Sequence, residues 1–213
     1  DFLLLPNLTE GSSLFSDFGA PASDIPIPTY GNFPSGSPSG SGSVNDTLLH
    51  PAKFGVHWKT NTLYFSDRYR LHAWPGDYTI PFPENIKGCV LSGSTILVFT
   101  TSRVYTVSGS NPDNMTAELL TDDKAPYSMD RVCRIGQTIY WTTSFGLCAS
   151  NGGDVKVITE THYMGSGDWE YSTAKPYVCD DILYLTGGST VLRVELDEDV
   201  IRSITTLSSS AIT

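Results

Sequence analysis

The side chains that most often hold metal ions in proteins, histidine and cysteine, are scattered along this sequence. The four histidines share no H-x-x-x-H spacing and stand far apart, at His50, His57, His72 and His162. The four cysteines stand singly and form no C-x-x-C pair, at Cys89, Cys133, Cys148 and Cys179. Because protein zinc sites draw on closely spaced pairs of such ligands, we predict no metal ion and no other cofactor.

Carboxylates support a different chemistry, since two convergent acids can hydrolyse a glycosidic bond. Acidic residues cluster at positions 122–123, 180–181 and 197–199. All three clusters fall at predicted turns, where aspartate favours the backbone geometry and stays solvated. The sequence also contains no G-x-S-x-G motif, no phosphate-binding loop and no G-x-G-x-x-G motif. We therefore predict that the chain is not an enzyme.

The cysteines also bear on where the protein is assembled. Cys89, Cys133 and Cys179 each fall in an apolar, strand-like run, where a free thiol behaves as a small buried hydrophobe. We expect all four thiols to be reduced, which favours assembly in a cytoplasm. No apolar run approaches the roughly 20 residues that a membrane-spanning helix needs.

Charge is unevenly distributed in this chain of 213 residues, which carries a formal net charge of −10. Residues 1–50 contain five acidic residues and no lysine or arginine. An acidic surface repels phosphates, so sequence-specific binding of nucleic acid is disfavoured.

Composition divides the chain into three parts. Residues 1–33 contain short apolar clusters broken by proline and glycine, and we interpret them as an extended arm that docks on another subunit or on a neighbouring protein. The predicted anchors of this arm are Phe2, Leu4, Phe15, Phe18 and Ile25. Residues 34–50 are rich in serine, glycine and proline and are typical of a linker or a long loop. Residues 51–213 form a repeat domain, which we expect a longer polypeptide could complete.

The repeat consists of a polar turn followed by an apolar strand that closes on serine or threonine. It recurs roughly every 35–45 residues, a period typical of propeller blades. We align the four copies at Leu63, Leu97, Ile139 and Leu183 and predict that these residues are equivalent and buried. Three copies continue into two further strands, which predicts four-stranded antiparallel sheets. We therefore expect an all-β, propeller-like array of about four blades, with a β-sandwich as the alternative.

Aromatic residues in these strands permit two interpretations. They could form a platform for a sugar ring, but strand aromatics more often fill the wedges between blades, and we predict the latter. The residues concerned are Trp58, Tyr64, Trp74, Tyr78, Tyr105, Tyr140 and Trp141.

Three motifs resemble a pattern found in virion proteins of tailed bacteriophages. They are LYFSD at 63–67 with HAWP at 72–75, LVFTTSRVYTVSGSNPDNM at 97–115, and IYWTTSFGL at 139–147 followed by NGG at 151–153. The family's counterparts read "YxSDxxxxxxWP", "VYxVSG" before a "DPxxM" loop, and a strand with "Y-x-S" and "GL" before a Gly-rich turn and a closing strand. The resemblance covers about residues 57–160. It departs from the family's "SxRS" element at SMDR, 128–131, and does not extend to the arm or the linker.

The resemblance implies a function in the virion. Proteins of this family form propeller-like parts of the tail or of the head–tail connector, including the nozzle (tail tubular protein B) of short-tailed phages. The implied partners are further copies in a ring and other virion proteins such as adaptor, portal and tail parts, with genomic DNA passing nearby without sequence-specific binding. Assembly would take place in the host cytoplasm. The alternative is a propeller that binds or hydrolyses carbohydrate during host recognition.

Overall fold

A computed structural model describes residues 48–160, 171–187, 190–197 and 200–208. Within these ranges the protein is all-β, as the sequence predicts, and its strands form four antiparallel sheets of four strands each. In every sheet the order of the strands follows the order of the chain, so each sheet is a simple meander. Two short 3-10 turns, at Pro112–Asn114 and Met129–Arg131, interrupt the connections between strands. No described residue belongs to a helix long and apolar enough to cross a bilayer.

The first two sheets occupy residues 48–121. The first sheet comprises β1 (Leu48–Leu49), β2 (Gly55–Lys59), β3 (Thr62–Phe65) and β4 (Thr79–Pro81). The second sheet comprises β5 (Ile86–Ser92), β6 (Thr95–Thr100), β7 (Val104–Ser108) and β8 (Thr116–Thr121). Strand β1 lies within the range 34–50 that its composition assigns to a linker.

The last two sheets occupy residues 132–208. The third sheet comprises β9 (Val132–Ile135), β10 (Thr138–Thr143), β11 (Gly146–Ser150) and β12 (Lys156–Val157). The fourth sheet comprises β13 (Lys175–Cys179), β14 (Ile182–Gly187), β15 (Thr190–Asp197) and β16 (Val200–Ser208).

A two-residue hairpin marks the start of the repeat in every sheet. The turns lie between β2 and β3, β5 and β6, β9 and β10, and β13 and β14. The first turn residue has a positive φ in each case, at Thr60, Gly93, Gly136 and Asp180. Two-residue hairpins require this conformation because its twist matches that of the flanking strands.

The register of these hairpins corrects the alignment of the repeat. The second residue after each turn is Leu63, Ile96, Ile139 or Leu183, so Ile96 and not Leu97 is the equivalent of the other three. Leu97 is buried as predicted, but it points to the opposite face because side chains alternate along a strand. A second correction concerns Leu63, which lies on the third strand of its sheet, whereas the others lie on the second.

Apolar clusters lie between successive sheets and hold the array together. Each cluster takes side chains from the facing strands of two neighbouring sheets. Full burial of a large apolar side chain contributes about 1.5–3 kcal/mol, so these interfaces are the main source of stability. The cluster between sheets one and two includes Leu63 and Ile96, that between sheets two and three includes Leu97 and Ile139, and that between sheets three and four includes Tyr140 and Leu183.

Five of the seven aromatic residues belong to these interfaces, as predicted, and the exceptions are Tyr64 and Trp74. Trp74, Tyr105, Tyr140 and Trp141 are buried, and Trp58 and Tyr78 pack on the first cluster with partial exposure. Trp141 is fully buried, stacks edge-on against Phe99 at 5.3 Å between ring centroids, and donates its indole N–H to the Lys124 carbonyl at 2.5 Å. Tyr64 is half-buried on the outer face of the first sheet.

Successive sheets approach each other most closely at their first strands. The array does not close into a ring within the described residues, because the first sheet does not pack on the fourth. Contacts between sheets involve β5 with β1 and β2, β5 with β10, and β13 with β9 and β10. Polar bonds reinforce these junctions, since Nε2 of His50 lies 2.8 Å from the Ser94 carbonyl oxygen and the Thr142 hydroxyl donates to the Ala174 carbonyl at 2.8 Å. Within the described ranges, no apolar cluster joins the first sheet to the fourth.

Candidate functional site

A cleft of about 410 Å³ opens where the second, third and fourth sheets meet. Its walls come from the turn between β6 and β7, the end of β10, the connection before β9 and the residues that precede β13. These segments come together because each sheet is a meander stacked on the last, so equivalent turns lie along the same rim. The volume falls in the range of small-molecule sites.

Lys87, the second residue of β5, provides one of two cationic groups in the cleft. Its ammonium group donates to the carbonyls of Thr101 and Pro126, both at 2.8 Å. Partial burial lowers the pKa of Lys87; the Glu84 carboxylate opposes this shift and the Arg131 guanidinium adds to it. The ammonium group is therefore held in place by neutral carbonyl oxygens.

Arg131, at the end of a 3-10 turn, provides the second cationic group. Its Nη1 donates to the Ser172 carbonyl at 3.0 Å, and its guanidinium carbon lies 4.9 Å from the centroid of the Tyr127 ring. Its Nε is buried and has no hydrogen-bond partner in the part of the chain that the structure describes. A buried donor without an acceptor is costly, which makes this atom the most unusual feature of the cleft.

Hydroxyl groups and one aromatic ring complete the lining. Ser144, Ser172 and Thr173 line the cleft, and their hydroxyls make no hydrogen bond to another described residue. Tyr127 lies at the rim with 77% of its surface exposed. The cleft therefore offers donors, acceptors and an aromatic face.

The acidic residues near the cleft form ion pairs with lysines that do not line it. Asp123 lines the cleft but is 3.3 Å from the ammonium group of Lys124, and Asp130 is 2.8 Å from that of Lys175. Among the described residues, neither Lys87 nor Arg131 forms an ion pair with a carboxylate. The cleft thus contains two cationic side chains without a direct ion pair among the described residues, beside the Asp123 carboxylate.

A network around Glu84 fixes the turn that forms one wall of the cleft. Its carboxylate accepts bonds from the Ser102 backbone N–H at 2.8 Å, the Ser102 hydroxyl at 2.6 Å and the Thr100 hydroxyl at 2.8 Å, and lies 3.6 Å from Nε of Arg103. Partial burial alone would raise the pKa of Glu84, but these bonds and the Arg103 charge outweigh it and lower the pKa to about 2.

The residues considered for metal binding and thiol chemistry are dispersed in the fold. Among the described residues, no group of three or more His, Cys, Asp or Glu could hold a metal ion. His57 is buried within the first sheet, and His50 is buried next to it. His72 is exposed, and His162 lies outside the described ranges.

None of the four cysteines is in a disulfide, and three are poorly placed to react. Burial raises the pKa of Cys133 to about 12 and that of Cys148 to about 11, and it also raises the pKa of Cys89. A thiol must ionise to act as a nucleophile, so these three are inert packing groups. Cys179 is exposed, contrary to the expectation of a buried thiol, because its strand β13 belongs to the last sheet.

The predicted anchors of the arm, Phe2, Leu4, Phe15, Phe18 and Ile25, lie outside the described residues. The structure instead provides an exposed face on the fourth sheet, which we call the terminal face. Its central row runs across the strands through Tyr177, Tyr184, Arg193 and Thr205. Tyr177 is 55% exposed, and no described sheet covers this side.

Sequence reasoning missed the cleft. Lys87, Arg131 and Ser172 are far apart in the chain and belong to no spacing motif, so only the stacking of the sheets brings them together. The SMDR segment at 128–131, where the sequence departs from the resembling phage proteins, contains Arg131 and is the one signal that could have drawn attention to this region.

Comparisons with known proteins show a likeness in fold. No protein-family model and no curated protein matches the chain. Among solved structures, the chain is similar to PorZ, an essential bacterial surface component of the type-IX secretion system of Porphyromonas gingivalis, with a TM-score of 0.51 and 12% sequence identity. The match covers 76% of this chain and 22% of PorZ, so the chain spans about a fifth of that protein's length. At this level of identity, the likeness shows that the β-rich fold is shared and nothing more.

Proposed function

We propose that this chain is a structural, non-catalytic module of a tailed-phage virion, which associates with copies of itself in the tail nozzle, the tail tube or the head–tail connector. The observation that carries the proposal is the terminal face. In a stacked array each sheet buries its faces against its neighbours, and a last sheet with an exposed aromatic face provides a surface on which another subunit can continue the stack.

The two ends of the array differ, which gives the association a direction. The outer side of the first sheet is covered by the chain's own loop, since the Trp74 indole lies over Gly55 and packs edge-on against the His57 ring at 6.3 Å. The terminal face has no such cover among the described residues. Unlike ends favour head-to-tail contacts, and these close into rings when the rotation between subunits permits it.

The phage assignment rests on the resemblance of residues 57–160, which correspond to the first three sheets. The charge of the chain is compatible with a position around a DNA channel, because a net charge of −10 disfavours binding of the passing phosphates. The secretion-system protein with a similar fold shows that the fold also occurs in an assembly at a bacterial surface.

A charge on the terminal face tests the proposal. We expect the unmodified chain to form oligomers in light scattering coupled to gel filtration, and we expect Tyr177→Lys to shift the distribution towards monomers, because an ammonium group in the contact must be desolvated. Tyr69→Lys is the matched control, since Tyr69 is 73% exposed and lies far from this face in the first sheet's loop. A chain that stays monomeric at all concentrations, or equal effects of the two variants, would contradict the proposal.

A further inference from the structure

The cationic cleft has no use in the assembly proposed above, yet its features point to a ligand. Lys87 and Arg131 are held by backbone carbonyls and pair with no carboxylate among the described residues. The Arg131 guanidinium lowers the pKa of Lys87 by charge repulsion, and an anion bound near both groups would relieve this repulsion. The cleft can therefore receive an anion at these two groups, while the Asp123 carboxylate in the lining is paired with Lys124.

The buried Nε of Arg131, which lacks a partner among the described residues, indicates which class of anion fits the cleft. It is a donor fixed in direction, because the same guanidinium donates Nη1 to the Ser172 carbonyl and stacks on Tyr127. A carboxylate oxygen is a suitable acceptor for such a donor, since guanidinium and carboxylate are both planar.

The remaining lining favours a ligand with hydroxyl groups over a bare anion. Ser144, Ser172 and Thr173 can each donate and accept a hydrogen bond, as the hydroxyls of a sugar can. The exposed ring of Tyr127 offers an aromatic surface to the apolar face of a pyranose. A cleft of about 410 Å³ is also larger than a single small anion requires.

We propose that this cleft binds an acidic saccharide, with the sugar carboxylate on Lys87 and Arg131 and the sugar hydroxyls on the serine and threonine side chains. Such a ligand would occur in a uronic-acid-containing polysaccharide of a cell surface. The site needs residues of one chain alone, so it does not depend on the association at the terminal face.

Calorimetric titration of the full chain with glucuronate, glucose, acetate and inorganic phosphate tests the assignment. Glucuronate should bind, and glucose and acetate should each bind at least tenfold more weakly, because each supplies part of the recognised chemistry. Arg131→Gln should weaken the binding of glucuronate about tenfold, the effect expected for loss of a charge-assisted bond. Arg134→Gln should leave it unchanged: its Nη1 also donates to a backbone carbonyl, that of Leu91 at 3.2 Å, but it lies outside the cleft.

A second variant separates binding from folding. Tyr127 is 77% exposed, so Tyr127→Ala should keep the melting temperature while it weakens the binding of glucuronate several-fold. The proposal is overturned if the unmodified chain does not bind glucuronate, if phosphate binds as tightly as glucuronate, or if Arg134→Gln weakens binding as much as Arg131→Gln. None of these results would change the oligomeric state of Tyr177→Lys, so the two proposals fail separately.

Discussion

At the scale of single residues, Glu84 shows how one carboxylate organises a wall of the cleft. It lies between the first and second sheets in sequence and receives bonds from Thr100 and Ser102, at the turn that joins β6 to β7. Because hydrogen bonds stabilise its charged form, folding and ionisation of Glu84 are linked.

This linkage predicts a pH dependence. The folded pKa of Glu84 is about 2, below the ordinary value of 4.5, so its contribution to stability is complete above pH 4.5 and is lost as the pH falls towards 2. We expect Glu84→Gln to lower the free energy of unfolding at pH 7 by about 1–3 kcal/mol, the usual effect of losing bonds to a charged group. The difference from the unmodified chain should shrink as the pH is lowered through this window in urea titrations.

Glu118→Gln serves as the control for this experiment, because Glu118 is exposed on β8. The control should differ little from the unmodified chain at either pH. A difference between the unmodified chain and Glu84→Gln that stays constant from pH 7 to pH 2 would show that the carboxylate's charge is not involved.

At the scale of elements, the two-residue hairpins set the register of every sheet. Gly136 has φ +59° in the turn between β9 and β10, and a Cβ at this position would meet no atom within 4 Å. A side chain at this position would therefore destabilise the protein through its unfavourable φ and not through a steric clash. We expect Gly136→Ala to cost about 1–2 kcal/mol of stability, the penalty for an L-residue in the left-handed region.

Gly76→Ala is the matched variant for the hairpin experiment. A Cβ at Gly76 would likewise meet no atom within 4 Å, but Gly76 does not have a positive φ. Its replacement should be neutral or stabilising by up to about 1 kcal/mol, because alanine restricts the unfolded chain. Equal melting temperatures for the two variants would mean that the turn tolerates a side chain and does not fix the register.

The elements also show how far sequence reasoning can go. Strands such as Thr138–Thr143 and the turns before them follow from residue type alone, and their sheets agree with the repeat. The register of β6 did not follow, because Ile96 and Leu97 are both apolar and both buried, one on each face. A strand buried on both sides gives no alternation from which to choose the face.

Two short strands and the cleft could not be predicted from residue patterns, for different reasons. Strands Leu48–Leu49 and Thr79–Pro81 are too short for any period to show, and only pairing with β2 and β3 defines them. The cleft depends on Lys87 and Arg131 approaching each other through the stacking of sheets, which no local pattern encodes. The candidate site was therefore less predictable than the fold.

At the scale of the whole molecule, the repeat domain should be independent of the N-terminal arm. Three apolar interfaces join the four described sheets, and ordering the arm alone would cost roughly 1–2 kcal/mol per residue in backbone entropy. We expect deletion of residues 1–33 to leave the melting temperature of the domain almost unchanged and to weaken association between subunits. Calorimetry and light scattering of the same samples measure both effects.

The outcome of that deletion distinguishes two positions for the arm. An arm that docks on a neighbour leaves the monomer intact when removed. If the truncated chain is unfolded by near-ultraviolet circular dichroism, the arm belongs to the core of its own domain, and the docking of Phe2, Leu4, Phe15, Phe18 and Ile25 on another subunit is wrong.

The proposal that this chain is a structural component of a phage tail or head–tail connector is tested most directly by a cryo-electron microscopy map of intact virions that contain it. We expect several copies of the four-sheet array in a ring around the DNA channel of the tail or connector, with the terminal face of each copy in contact with the next. Single copies on a peripheral appendage, with the terminal face free and the cleft directed outwards, would contradict the claim and favour glycan recognition as the function.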